Sequence, residues 1–378
     1  MATLNDTLAF KGLKLRNRLV LPPITTAYGT PEGEVTDRTL GFYRQRARQV
    51  GMVIVEAVVV SPDARLIPRS MGLWSDGQIA GMARLAKAIK AEGAVAAVQI
   101  AHAGARGPAS DTGISRGSPS GAVMAPGEPP TILSEGQIAG IVEDFARAVA
   151  RAREAGFDAA EIHGGHHYLI SQFLSPIING REDRYGGDVA GRATLALEVT
   201  RAVRARVGED YPVLFRFNAV ELMEGGQTIE EGMALARLLE AAGVDALHAS
   251  LIAQGGWRES SSGVRFLQST SALLKEQPFG GAVPYAAKIK ESVGIPVIAV
   301  GKLADVQEAA RVVEQGLVDL VAIGRQMIAD PETAGKVLAG RRDEIVRCTE
   351  CNGCFASIRK ETGLTCAVNK NPSGRPEY

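Results

Sequence analysis

One pattern recurs eight times along this chain: a short apolar run, a turn, then an amphipathic stretch. The apolar runs fall at Leu19–Pro23, Met52–Val60, Ala94–Ala101, Ala159–His163, Val213–Asn218, Ala246–Ser250, Val297–Val300 and Leu320–Ile323. Rich in Val, Ile, Leu and Ala, they read as parallel strands buried on both faces. Helical stretches lie between them, at Arg38–Val50, Gln78–Ala91, Glu135–Ala155, Arg192–Val207, Ile229–Ala242, Tyr285–Ser292, Asp305–Gln315 and Glu332–Leu338. Ser134 and Asp305 stand where N-caps belong, and Gly243 and Gly316 where helices stop. Eight strand–helix units predict the α/β class and a closed (β/α)8 TIM barrel. An open doubly wound sheet is the alternative, but it usually has fewer units, and no Gly-x-Gly-x-x-Gly follows the first strand.

The barrel is expected to occupy residues 1–340, leaving 341–378 as a C-terminal segment. The long insertion Gly104–Pro130, rich in Gly, Pro and Ser, reads as a loop or lid on the catalytic face. Forty-two basic residues balance forty-two acidic ones, so neither nucleic acid nor an anionic membrane is an expected partner. No apolar run approaches the roughly 20 residues that span a bilayer. The first residues, Met1 to Asp6, lack the basic-then-apolar order of a signal peptide, so a cytoplasmic protein is expected. A homo-oligomer is compatible with this composition.

Three sets of residues carry chemistry. All four cysteines, Cys348, Cys351, Cys354 and Cys366, sit in one short stretch. C-x2-C-x2-C spacing gathers thiolates round one point, as iron–sulfur clusters require and, less often, zinc. Three of the five histidines fall in Glu161-Ile-His163-Gly-Gly-His166-His167-Tyr168, at the end of the fourth strand. His163 and His166 could donate to a carbonyl oxygen as an enolate forms, and Tyr168 could supply a proton. Gly301-Lys302 after the seventh strand and Gly324-Arg325 after the eighth stand where barrels bind phosphate. Thr25, Gln99 and Arg216 are polar residues at strand positions where burial is costly, which implies a polar ligand or internal partners. His102 and His248 also end strands; each reads equally as a satisfied core histidine.

With these residues the chain resembles the Old Yellow Enzyme family of FMN-dependent oxidoreductases. More narrowly it resembles the iron–sulfur branch that includes bacterial 2,4-dienoyl-CoA reductase and trimethylamine dehydrogenase. The resemblance is carried by Asn17-Arg18-Leu19-Val20, Val55-Glu56-Ala57, Gln99 to Gly104, Ile162 to Leu169, Gln172 to Pro176, Asn179 to Gly187, Ile323-Gly324-Arg325 and the cysteine run. It implies FMN at the barrel mouth, with Pro23, Ile24 and Thr25 along the isoalloxazine, Ala57 and Gln99 against the ring, and Arg216 at its N1–O2 side. Gly301, Lys302, Gly324 and Arg325 would hold the ribityl phosphate. His163 and His166 match the pair that binds the substrate's activating oxygen, and Tyr168 the tyrosine that protonates carbon. The four cysteines would hold a 4Fe–4S cluster.

The chain also departs from the branch. Thr25 stands where the amine dehydrogenases attach FMN through cysteine, so a non-covalent FMN is expected. Long members continue into domains for a second flavin and NAD(P)H, and this chain resembles a short form. His167 replaces a smaller residue and is expected to narrow the pocket. The resemblance implies an ene-reductase for an enone or enoyl thioester, drawing electrons from NADH or NADPH or from a separate electron-transfer flavoprotein or ferredoxin. The alternative is an amine dehydrogenase or N-demethylase passing electrons outward, with Trp257 as its rim aromatic. A barrel with structural zinc is the third reading.

Overall fold

The computed structural model describes residues 2–107, 117–124, 129–260, 263, 265–270, 280–303, 306–360 and 362–374. Eight parallel strands close into a barrel. They are β1 (Leu19–Leu21), β2 (Met52–Val59), β3 (Val95–Ala101), β4 (Ala159–Gly164), β5 (Val213–Glu221), β6 (Ala246–Ile252), β7 (Val297–Val300) and β8 (Leu320–Ala322). Each neighbours the next in chain order, and β8 pairs with β1 through Val321 and Leu19. The crossover helices are α1 (Asp37–Ala47), α2 (Ile79–Ala91), α3 (Glu135–Glu154), α4 (Val189–Val207), α5 (Ile229–Ala241), α6 (Val283–Ser292), α7 (Val306–Glu314) and α8 (Thr333–Leu338).

Every predicted strand and helix is present, with shifts of a few residues at their ends. β1 stops at Leu21 because Pro22 and Pro23 have no N–H to continue the ladder. Thr36, Ser134 and Thr228 cap α1, α3 and α5, each closing a capping box. Gly243 (φ +100°) and Gly316 (φ +69°) follow α5 and α7 in the left-handed conformation that ends a helix. The predicted cap Asp305 lies outside the described residues, as does much of the 104–130 insertion.

Strand alternation separates two apolar layers. Val53, Val55, Val98, Ile100, Ile162, Phe215 and Phe217 face the helices in the main core. Met52, Ile54, Ala97, Ala159, Leu214, Ala246, Ile298 and Leu320 fill the lower barrel. A hairpin before the barrel, Leu8–Phe10 paired with Leu13–Leu15, closes that end with Leu13 and Leu15. Burying one such Leu fully stabilises the fold by roughly 1.5–3 kcal/mol. The lower barrel is therefore solid, and a ligand site can exist only at the upper, C-terminal end of the strands.

Residues 341–374 return across that upper end. The Leu364 N–H donates to the Thr26 carbonyl at 2.7 Å, and the Tyr28 hydroxyl donates to the Leu364 carbonyl at 2.6 Å. Arg46, buried in α1, donates to the carbonyls of Met327 and Pro372. Among the described residues no helix is long and apolar enough to cross a membrane.

Candidate active site

Above the apolar layer, the inward positions of β3 to β6 turn polar. Gln99 Nε2 donates to Glu161 Oε1 at 2.6 Å, and Glu161 Oε2 meets His248 Nδ1 at 2.7 Å. Arg216, beside His248 and His163 in the strand register, completes this layer. Burial brings the Arg216 guanidinium down to about 10, with Glu161 opposing, so it remains a cation at neutral pH. A register shift between Val55 and Val58 in β2 separates two neighbours. Ala57 faces the upper cavity, whereas Glu56 packs outward against Thr26 and Tyr43.

The segment after β4 places three groups together. The ring centroids of His163 and His166 are 5.1 Å apart, and those of His163 and Tyr168 5.2 Å. His166 adopts φ +60°, held by its N–H to Asn218 Oδ1 (3.0 Å) and by Arg106 donating to its carbonyl (2.6 Å). Its Nε2 meets Ser250 Oγ at 2.8 Å. Burial, and then the nearby Arg216 charge, hold both imidazoles well below the ordinary histidine value. Both are therefore neutral at pH 7, each with one N–H to donate.

These residues line a cavity of about 520 Å3. Pro22, Pro23, Ile24, Thr25, Ala57 and Gln99 supply one wall, and Arg216, His163, His166 and Tyr168 another. Gly301, Lys302, Gly324 and Arg325 stand at the far side, after β7 and β8. Every sequence-predicted flavin and substrate residue thus meets in one space, joined by Cys348 and Cys354. Gly301 (φ +122°) and Lys302 (φ +50°) make a turn of positive φ, a backbone shape suited to presenting N–H groups to an anion. Lys302 pairs with Glu350 at 3.4 Å, and Arg325 donates to Asn352 Oδ1 at 2.9 Å. Both cations are thereby tied to the spacer residues of the cysteine run. Sequence reasoning missed this link, and it missed Arg347, Ser250 and Thr270 as lining residues.

Two expectations are corrected. His167 does not narrow the pocket: its left-handed backbone (φ +56°) turns the ring away, fully buried against Glu221 and Ser269. Trp257 is not among the lining residues; it sits in an unforeseen antiparallel hairpin, Gln254–Glu259 with Arg265–Thr270, after β6.

Residues 4–344 match the model of the NADH:flavin oxidoreductase / NADH oxidase family. The chain belongs to that family. An NADH oxidase from Thermoanaerobacter brockii is 39% identical over 94% of this chain and 54% of its own length. An NADPH dehydrogenase from Halalkalibacterium halodurans is 33% identical over 85% of the chain and 89% of its own. A solved 2-naphthoyl-CoA reductase in complex with 2-naphthoyl-CoA superposes with TM-score 0.90 at 28% identity, covering 99% of this chain and 58% of that one. The chain thus spans about half the length of several relatives it matches.

FMN fits the cavity of this family member on structural grounds. Arg216 Nε and His163 Nδ1 are buried without a hydrogen-bond partner among the described residues. An unpaired buried donor is costly, and a polar heterocycle resting on the Pro22–Ile24 wall would relieve it. Cysteine thiolate is the donor type that iron–sulfur clusters take. Left-handed Glu350 (φ +54°) and Asn352 (φ +55°) curl the loop, and the Glu350 N–H points to Cys348 Sγ at 3.4 Å. None of the four cysteines is paired in a disulfide. Among the described residues no three ligand-type side chains converge tightly enough to grip a single metal ion.

Proposed function

We propose that this protein is an FMN-dependent ene-reductase of the iron–sulfur branch. It would reduce the activated C=C bond of an α,β-unsaturated carbonyl or enoyl thioester at the expense of NADH or NADPH. The observation that carries this reading is the meeting of two neutral imidazoles and a tyrosine at one end of a cavity whose other end holds the Lys302 and Arg325 cations. FMN, when bound, supplies two-electron chemistry between the nicotinamide and the alkene. Arg216 would hold its N1–O2 edge, Gln99 and Thr25 its ring, and Gly301, Lys302, Gly324 and Arg325 its phosphate.

The chain's own groups then act on the substrate. His163 and His166 donate N–H to the carbonyl oxygen, binding it more tightly as negative charge grows there. The Tyr168 hydroxyl delivers a proton to the α-carbon, completing addition of hydride and proton across the double bond. The apolar wall from Pro22 to Ile24 excludes water from the reacting face.

Residues 341–378 would form the cluster-bearing segment, with Cys348, Cys351, Cys354 and Cys366 as ligands of a 4Fe–4S cluster relaying electrons to or from the cavity. The spacing of the cysteines and the exposure of Cys348 and Cys354 to the cavity support this. Amine oxidation has weaker support. Tyr168 and Phe355 are the described aromatic lining residues, and a cationic amine would face Arg216, Lys302, Arg325 and Arg347.

An anaerobic visible spectrum with iron and sulfide analysis tests the proposal. Flavin bands, about four iron per chain, bleaching by NADH or NADPH, and recovery of colour on adding 2-cyclohexenone or crotonyl-CoA are expected. A colourless protein, or a reduced flavin that neither compound reoxidises, would refute it.

A further inference from the structure

Two residues from different segments, Ser269 and Glu221, meet through one imidazole. His167 lies between His166 and Tyr168 and is fully buried. Its Nδ1 is 2.8 Å from Ser269 Oγ, in the hairpin that follows β6. Its Nε2 is 2.8 Å from Glu221 Oε1, at the end of β5. Burial works to raise the Glu221 carboxyl, but His167, Ser175 and the Gln227 N–H together hold it below its ordinary value. The carboxylate is thus an ionised anchor in the barrel wall. Ser269 adjoins Thr270, which lines the cavity. The backbone of His167 sits at φ +56°, where glycine is at ease and a side chain is not. The two hydrogen bonds of the ring hold the turn in that conformation.

We propose that His167 is a positioning residue that ties the hairpin at the cavity edge to the loop carrying His166 and Tyr168. The Glu221 arm fixes the ring, and with it the left-handed turn that aims His166. The Ser269 arm holds the hairpin, and so Thr270, against the substrate space. This inference rests on the reading of His166 and Tyr168 as substrate-binding groups.

Two variants test it, Ser269→Ala and His167→Gly, each in a Trp74→Phe background. Trp257 is then the sole tryptophan of the chain and lies within the hairpin. Both variants are expected to raise acrylamide quenching of Trp257 while leaving FMN affinity unchanged. Ser269→Ala is expected to raise KM for 2-cyclohexenone about tenfold with kcat kept, the cost of one hydrogen bond to the ring. His167→Gly keeps the backbone but loses both arms, so kcat falls about tenfold as well. Unchanged quenching and unchanged KM in Ser269→Ala would overturn the proposal, even if His167→Gly failed to fold. Should the parent protein not reduce enones, the proposed function fails, and the quenching of Ser269→Ala still decides whether the tether exists.

Discussion

Replacing Arg216 by methionine is expected to make the flavin harder to reduce. Methionine keeps the length and removes the charge, so the barrel interior stays filled. Arg216 is only 7% exposed, and its Nε has no partner among the described residues. Its charge is therefore available to whatever occupies the cavity. A hydrogen bond to a charged group contributes about 1.5–3 kcal/mol. If that contribution favours the anionic reduced flavin over the neutral oxidised one, the conversion of about 30 mV per 1.4 kcal/mol gives a drop of about 30–65 mV. The Glu161 carboxyl, left without its cation, acts in the same direction. The assay is anaerobic equilibration of parent and variant with a reference dye, read from the flavin absorbance. An unchanged or more positive potential would refute the reasoning, because it would place the guanidinium away from the reducible ring.

Other expectations follow from the same structure. A His163→Ala/His166→Ala double variant should bind FMN and be reduced normally but lose about 10^2–10^3 per donor in alkene turnover, measured by single-turnover reoxidation. Glu56 is buried and raised by that burial to about 7, against an ordinary value near 4.5. A raised folded value means that its contribution is present at low pH and lost as pH rises through 7. The parent should therefore lose about 3 kcal/mol relative to Glu56→Gln between about pH 5 and pH 8, by urea denaturation. Tyr28→Phe removes the donor to the Leu364 carbonyl. It should cost about 1–2 kcal/mol and speed proteolytic cleavage within residues 362–374.

The barrel was legible because its period repeats; the polar layer within it was only half so. Gln99 and Arg216 stood out as polar residues in apolar strands, but their partner Glu161 did not. Its bond to His248 runs from β4 to β6, which are not neighbours in the sheet, across the lumen. No sequence spacing encodes a contact across a barrel's interior. The plug hairpin carried a readable signal in Lys11-Gly12, both left-handed as a two-residue turn requires. The hairpin after β6 did not, since its outer faces are polar and glycine-rich. His167 was misread because its direction depends on a left-handed backbone that residue identity alone disfavours. The pairing of Lys302 with Glu350 was hidden because the two lie in different segments, brought together only when the cysteine loop folds back.

The return of Leu364 to Thr26 and Tyr28 also sets an order of events during synthesis. The bond from Tyr28 to Leu364 joins residues 336 apart, so one wall of the cavity is missing while most of the chain is being made. The last barrel strand ends at Ala322, about 40 residues before Leu364, so at about 5–20 residues per second a completed barrel waits a few seconds for that wall. The barrel can close in that interval, but a cofactor entering it would find an open side and leave again. Retention begins when the late residues arrive, which makes loading of the site a checkpoint on completion of the chain through that segment.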